Sequence, residues 1–222
     1  MKLTMRYNYE REGLQFTTED DELELKFRLL LQADARLYTQ PNQDPVHSGF
    51  YMPRARYYFT GHVTRPIEYN VAIQRAYDVF NVLNAYINFY FDDRFQFRFG
   101  RFKTPFTYEY YKLHVWQLMA PERSLFNVDY QAGRQVGAMG WGGVLDGRLE
   151  YAVGIFDGPR RSYTDYNGAK DVMALLNATP FEHWTDSPLR NLNIGGSLDV
   201  GYQNNPNTPA VLRTSANASG TS

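Results

Sequence analysis

The most informative chemical groups in this sequence are basic side chains that occupy one parity along predicted strands. They are Lys26, Arg28, Arg36, Arg54, Arg56 and Arg98. A guanidinium group offers paired donors that match phosphate oxygens. In a pore wall, such cations replace part of the hydration that an anion loses on entry. The spacing is therefore typical of a surface that selects anions.

Acidic side chains share that parity and leave a second interpretation open. Glu24, Asp34 and Glu68 lie among the basic residues. If they neutralise their neighbours, the same wall is charged but weakly selective, because selectivity depends on the placement of charges and not on their number.

The sequence gives little support to disulfide, metal, catalytic or nucleic-acid-binding sites. The sequence has no cysteine, which excludes disulfides, zinc–thiolate sites and thiol catalysis. The four histidines show no metal-ligand spacing, and no catalytic motif is evident. With a net charge of −1 the chain has no uniformly basic surface. We therefore predict no enzyme activity, no metal, no cofactor and no nucleic-acid partner.

The strand that positions the first basic residues has an unusual length. Over residues 21–38 every odd position from Leu23 to Leu37 is apolar, and the even positions are charged or polar except for Leu30. Successive side chains of a strand point to opposite faces. The alternation exceeds the roughly 5–6 residues of an ordinary strand and suits the roughly 9–11 that cross a bilayer. This pattern predicts an all-β fold, an antiparallel transmembrane β-barrel.

The same alternation recurs along the chain and predicts about nine strands. They cover residues 21–38, 50–63, 67–74, 83–91, 95–99, 134–142, 149–155, 171–181 and 191–202. Short connections alternate with longer ones, and residues 39–49, 76–82, 104–133 and 158–170 form the longer set. Outer-membrane barrels have short periplasmic turns and longer external loops. Residues 203–222 are polar and predict an external loop or a disordered tail.

Four motifs carry a family resemblance. They are F-R-F-G-R-F-K-T-P-F at 97–106, M-A-P-E-R-S-L at 119–125, G-R-Q-V-G at 133–137 and Y-A-V-G-I-F-D-G at 151–158. In this order they resemble the phosphate-selective porin O and P family, from about Leu14 to Phe181. The resemblance implies a homotrimeric channel of about sixteen strands in the outer-membrane lipid of Gram-negative bacteria, passing anions such as phosphate or polyphosphate. Residues 1–202 would then be the N-terminal portion of such a barrel, truncated within an external loop.

The resemblance places further basic residues near the channel. They are Arg101, Lys103, Arg123 and Arg134. Arg101 and Lys103, however, share the parity of Phe97 and Phe99. Either the strand has left the hydrocarbon at this point, or a β-bulge at Gly100 changes its register. We predict the bulge.

The segment 104–133 is the third long connection, and in porins this loop commonly folds inward to narrow the pore, as the resemblance implies. Its predicted constriction residues are Tyr108, Tyr110, Lys112, Trp116 and Glu122. An exposed loop with an interfacial aromatic belt is the alternative. For function, the sequence predicts passive anion diffusion. The alternatives are a general, weakly selective porin and a non-conducting structural or carbohydrate-binding β protein.

Overall fold

A computed structural model describes residues 3–8, 13–38, 48–76, 79–120, 122–158, 163, 168–184 and 186–202. Within these residues the chain forms eleven strands. They are β1 (Leu3–Asn8), β2 (Gly13–Thr18), β3 (Glu24–Arg36), β4 (Gly49–Thr64), β5 (Ile67–Ala76), β6 (Val79–Asp92), β7 (Phe95–Lys103), β8 (Arg134–Val144), β9 (Leu149–Phe156), β10 (Asp171–Ala178) and β11 (Ile194–Val200). Two short helices, α1 (Tyr108–Tyr111) and α2 (Leu125–Tyr130), and a 3-10 turn at Val115–Gln117 lie between β7 and β8.

The strands form one antiparallel sheet in which each strand neighbours the next along the chain, from β1 to β11. The all-β prediction is confirmed, and all nine predicted strands are present. Two further strands, β1 and β2, precede them, so the count of about nine was too low. The predicted tail at 203–222 lies outside the described residues.

The structure tests part of the predicted alternation of short and long connections. Short turns lie at Arg65–Pro66, Asp93–Arg94 and 145–148, and residues 104–133 form a long connection between β7 and β8. The predicted long connections at 39–49 and 158–170 lie largely outside the described residues. The expected long connection at 76–82 is wrong, because β5 ends at Ala76 and β6 begins at Val79. Residues 77 and 78 between them lie outside the described residues. Among the described helices, none is long and apolar enough to span a membrane.

Contacts divide the described residues into two compact units, one running to Ala85 and the other starting at Tyr86. In the first unit the alternation of β3 is visible in exposure: Leu29 and Leu31 are exposed, whereas the even positions between and beyond them are half-buried. A small core of Tyr58, Ala72 and Leu83 lies in this unit. Leu30 packs against it, which explains the one apolar residue on the polar parity of β3.

A β-bulge in the first unit changes one predicted parity. Between Gln32 and Asp34 the pairing of β3 with β4 shifts, so that Asp34 faces Tyr51 while Gln32 faces Arg54. Since β3 advances by two residues and β4 by three, the extra residue lies in β4. Strict alternation along the predicted strand 50–63 would put Tyr51 on the apolar parity with Ala55 and Tyr57. Because of the bulge it joins the polar parity, and Phe50 is exposed instead.

In the second unit, exposed apolar residues cover one face of β7–β11. They include Phe97, Phe99, Val153, Ile155, Val172, Leu176 and Leu198. We call this the apolar face. The opposite face carries a buried cluster of Phe102, Ala132, Met139, Ala152, Phe156, Met173 and Leu175. We call it the loop-covered face, because Phe106 and Tyr111 of the connection between β7 and β8 pack against this cluster.

The prediction of a β-bulge at Gly100 is wrong where β7 pairs with β8. The β7–β8 register runs unbroken from Gln96↔Trp141 through Gly100↔Gly137 to Lys103↔Arg134. Arg101 and Lys103 consequently keep the parity of Phe97 and Phe99. The backbone of Gly100 is in the positive-φ region, with φ of 126°, yet the ladder continues past it.

Candidate functional site

Register brings the basic residues of β3 and β4 to a single face of the first unit. Residues directly opposite each other in an antiparallel pair lie on the same side of the sheet. Arg28 faces Tyr58, Arg54 faces Gln32, and Arg56 faces Leu30 and Gln74. Lys26 and Arg36 share their parity. These five residues define the basic face.

Three of these cations contact neutral groups. Arg54 donates to the side-chain oxygen of Gln32, and Arg56 donates to that of Gln74. The guanidinium of Arg28 lies 5.2 Å from the centre of the Tyr58 ring. Amide oxygens and ring faces orient a guanidinium without cancelling its charge.

Carboxylates also lie on this face, and Asp34 interacts electrostatically with Arg54 as well as with Arg36. Lys26 Nζ lies 3.3 Å from Glu24 Oε2, and an Arg36 nitrogen lies 2.9 Å from Asp34 Oδ2. His62 also approaches Glu24, at 3.6 Å. The basic face therefore combines ion pairs with cations that contact amide oxygens and rings, and both interpretations of the sequence stay open.

Arg6 joins this face and was missed by sequence reasoning. The pairs Arg6↔Gln15 and Gln15↔Lys26 place it in line with Lys26. The sequence pattern that could have identified Arg6 is the alternation of Leu3, Met5 and Tyr7 around it, and all three of these apolar residues are exposed. Over the described residues of β1–β5 the face then carries six basic side chains, Arg6 and the five above, against the three carboxylates of Glu24, Asp34 and Glu68.

Arg98 occupies a different environment in the second unit. Its guanidinium carbon lies 4.3 Å from the centre of the Tyr86 ring, 4.8 Å from that of Trp141 and 5.6 Å from that of Phe102. It lies on the loop-covered face, where Arg98 pairs with the buried Met139. The residue predicted for the anion path is thus enclosed by aromatic rings.

The segment between β7 and β8 is fixed to the sheet beneath it. Tyr111 packs on the buried cluster, and burial raises the pKa of its hydroxyl to about 12. Lys112 Nζ lies 2.5 Å from Glu150 Oε1 on β9, and Asn177 donates to the other oxygen of Glu150 at 3.2 Å. Lys112 is therefore held by the wall. Glu150, which sequence reasoning did not single out, is its anchor.

The E-R-S motif holds this segment together. Arg123 donates to the carbonyl oxygens of Glu109 and Leu113, the latter at 2.7 Å. The Ser124 amide and hydroxyl donate to the Glu109 carboxylate at 3.1 and 2.6 Å. Burial works to raise the pKa of Glu109, but hydrogen bonds from Ser124 and Asn127 and the charge of Arg123 lower it overall. Arg123 thus braces the loop.

The remaining predicted constriction residues differ in their contacts and in their exposure. The Tyr108 hydroxyl accepts a hydrogen bond from Asn193 at 3.1 Å, and the Thr107 amide donates to Ser197 of β11 at 3.1 Å. Trp116 stacks on His114 with ring centres 4.3 Å apart and is 46% exposed. Glu122 is half-buried. The segment is thus tied at one end, and Trp116 presents an open surface.

A second group of cations surrounds Tyr110, which is 6% exposed. Lys103, Arg123 and Arg134 lie 5.6, 5.3 and 5.9 Å from the centre of its ring. Arg101 donates to the carbonyl oxygen of Arg134 at 3.2 Å. We call Arg101, Lys103, Arg123 and Arg134 the rim cluster, since β7 ends and β8 begins there.

Comparison with known proteins agrees with the motifs. In the described part of the chain, no group of three or more His, Cys, Asp or Glu side chains is arranged to hold a metal ion. A search of curated proteins finds no match. The family model of phosphate-selective porin O and P matches residues 24–181, which confirms the predicted resemblance. The antiparallel all-β sheet agrees with a porin barrel. The chain therefore belongs to the phosphate-selective porin O and P family of outer-membrane channels, which are porins and not enzymes.

Proposed function

We propose that the protein conducts phosphate-type anions, including polyphosphate, by passive diffusion along the basic face. The observation that carries this proposal is the excess of basic over acidic side chains on that face. In this arrangement the basic face lines the water-filled lumen, and the exposed apolar residues of the opposite parity meet lipid.

The proposed mechanism is electrostatic. A unit charge about 6 Å from an ion contributes about 0.7 kcal/mol in bulk water, or about a threefold change in local anion concentration. Several such charges in series attract anions and repel cations. The amide partners of Arg54 and Arg56 matter here, because they orient the guanidinium groups without adding an opposing charge of their own.

The loop between β7 and β8 contributes by restricting width. Its attachment through Tyr111 and through the Lys112–Glu150 pair supports a fixed constriction, since a segment with buried anchors resists displacement. In the proposal, Trp116 and Glu122 lie nearest the passing ion, and Arg123 acts through the loop that it braces.

A weakly selective porin is the second candidate. The ion pairs Lys26–Glu24 and Arg36–Asp34 favour it, because each pair contributes little net field. The two candidates differ in a measurable quantity, the ratio of anion to cation permeability.

The family resemblance also supports a homotrimer within outer-membrane lipid as the working assembly. Chemical cross-linking of the detergent-extracted protein, followed by mass determination, tests this part of the proposal. A ladder that ends at three copies would agree with it. A single species of one copy at every cross-linker concentration would contradict it.

The deciding experiment measures the reversal potential of the protein in a planar bilayer under a salt gradient. The test variant is R54Q/R56Q, in which glutamine retains polarity but removes two charges. The control is R65Q/R94Q, which removes two charges at exposed turns. We expect the permeability ratio to favour anions in the original protein and to fall about a hundredfold in the test variant alone, because each lost charge changes the anion and the cation terms about threefold in opposite directions. Equal effects of both variants, or a reversal potential near zero in the original protein, would favour the weakly selective porin.

A further inference from the structure

Thr107 lies where the chain has left β7 and enters the loop between β7 and β8. Its backbone has φ of 60° and ψ of 128°. A positive φ is uncommon for residues other than glycine and is strained for a β-branched residue. Among the described residues, the other non-glycine residues with positive φ are Asp21, Leu145 and Asp146, which lie in short turns between strands. Of these four residues, Thr107 alone is buried.

Every polar group of Thr107 has a partner, and the partners belong to three different elements. Its amide donates to the hydroxyl oxygen of Ser197 on β11 at 3.1 Å, and its hydroxyl donates to the side-chain oxygen of Asn127 in α2 at 2.6 Å. Its carbonyl oxygen accepts a hydrogen bond from the Tyr111 amide of α1 at 3.1 Å. A strained residue persists only where its surroundings fix it, and these three bonds supply that restraint.

Asn127 joins Thr107 to the rest of the loop. The Asn127 side chain is fully buried and also hydrogen-bonds to the Glu109 carboxylate, which accepts two hydrogen bonds from Ser124. An ionised carboxylate only accepts, so the amide nitrogen of Asn127 serves Glu109 while its oxygen serves Thr107. Thr107 and the E-R-S motif therefore belong to one hydrogen-bonded network.

The backbone of Thr107 sets the direction of the segment that follows it. Pro105 before it is fully buried, and α1 begins directly after it. Ser197 lies opposite Leu175, a residue of the buried cluster, and so belongs to the loop-covered face. The bond from Thr107 to Ser197 holds the start of α1 against that face, whereas Trp116 beyond α1 is exposed. A change of φ at Thr107 would redirect α1 and the segment around Trp116.

We propose that Thr107 is a positioning residue: its positive-φ backbone, clamped by Ser197 and Asn127, sets how far the loop extends across the conduction path. The inference rests on the proposed function, in which this loop restricts the width of the pore. When the clamp is weakened, relief of the strain at Thr107 gives the loop a second placement and the channel further conductance levels. The clamping bonds join neutral groups, so they act on pore width and leave the ratio of anion to cation permeability unchanged.

The test records single-channel conductance in a planar bilayer for S197A, which removes the acceptor of the Thr107 amide at an exposed position. Loss of one neutral hydrogen bond shifts an equilibrium about fivefold. S197A should therefore spend about five times longer than the original protein outside the main conductance level. The matched control S187A removes a hydroxyl that accepts from the Leu189 amide at 3.2 Å and should leave the record unchanged. T107V removes the hydroxyl and should resemble S197A, whereas T107S keeps it and should resemble the original protein.

Cleavage by chymotrypsin after Trp116 measures the attachment of the loop independently of conduction. The inference predicts faster cleavage in S197A together with the additional conductance levels. Faster cleavage with an unchanged conductance record would overturn the inference and, with it, the constriction assigned to this loop in the proposed function. Unchanged cleavage with unchanged conductance would overturn the inference alone. Equal effects of S187A and S197A, or a permeability ratio changed in S197A as strongly as in R54Q/R56Q, would also contradict it.

Discussion

The strand face opposite the exposed apolar residues has different surroundings in the two units. In the first unit this is the basic face, whose side chains are half-buried and contact amides, rings and carboxylates of neighbouring strands. In the second unit this is the loop-covered face. It is largely apolar and lies beneath the loop between β7 and β8, with Phe102, Met139, Phe156 and Met173 fully buried.

The difference shows that strand alternation fixes which residues share a face, but not what that face contacts. Arg28 and Arg98 illustrate this point. Both alternate with apolar residues and both lie over aromatic rings. Arg28 belongs to an array of cations, whereas Arg98 is surrounded by three rings under a loop. The loop between β7 and β8 accounts for this difference, because it covers the face on which Arg98 lies.

The largest expected effect comes from removing a buried anchor of the loop-covered face. Phe156 is fully buried, and its ring packs edge-on against Phe102 with centres 5.6 Å apart. We expect F156A to lower the free energy of unfolding by about 3–5 kcal/mol, because it leaves a cavity. Urea titration in micelles measures this change. The control I155A lies on the apolar face and should cost much less. If the two variants are equally destabilised, Phe156 is not an anchor.

A smaller loss is expected at Arg123, where two roles can be separated. R123A removes charged donors to two carbonyl oxygens, which should cost about 1.5–3 kcal/mol. R123K keeps the charge but cannot reproduce the fork of donors. If Arg123 braces the loop, both variants should show enlarged fluctuations of single-channel conductance. An R123K channel with unchanged conductance and selectivity would instead assign Arg123 to the anion path.

The comparison can be sharpened on the basic face by removing a carboxylate. D34N eliminates the partner of Arg36 and leaves an amide in its place. We expect the anion permeability to rise about threefold, as one unopposed charge at about 6 Å implies. Stability should change by less than about 1 kcal/mol, in the range of solvent-accessible ion pairs. Reversal potentials measure the first quantity. An unchanged permeability ratio would remove Asp34 and Arg36 from the path.

The smallest expected effect is a dependence of the loop on pH. Since the pKa of Glu109 is lowered in the folded protein, its stabilising effect is complete above the ordinary value of 4.5. It is lost as the pH falls below that value. Limited proteolysis of the loop should therefore accelerate below about pH 4.5. The E109Q variant should be cleaved at a rate that does not change over this range, whereas the control E182Q should retain the acceleration.

The sequence was sufficient to predict the sheet but not all of its strands. Alternation identified nine strands because each has several apolar residues on one parity. It missed β1 although Leu3, Met5 and Tyr7 alternate, because the polar residues between them dominate so short a run. Bulges are equally hard to predict. The described strands have register shifts near Pro53 and between His62 and Thr64, both in β4, whereas Gly100, where a bulge was expected, keeps the regular register with β8.

The site was less predictable, since it depends on contacts between distant parts of the chain. Parity alone grouped the five residues of the basic face. It could not show that Arg98 is enclosed by Tyr86, Phe102 and Trp141, or that Lys112 pairs with Glu150, 38 residues away. The E-R-S motif was recognised as a family feature. Its physical role, holding the carbonyl oxygens of residues 109 and 113, became visible only in the folded loop.

The nearest-neighbour order of the sheet also shapes how the chain assembles. A strand that pairs with its chain neighbour closes only a short loop, which is favourable for rapid folding. The loop between β7 and β8 is different, because the Thr107–Ser197 bond joins residues 90 positions apart. That bond forms only after β11 has been added to the sheet. This loop should therefore be the last part of the second unit to become rigid, and a chain interrupted before Ile194 would carry the loop without its final attachment.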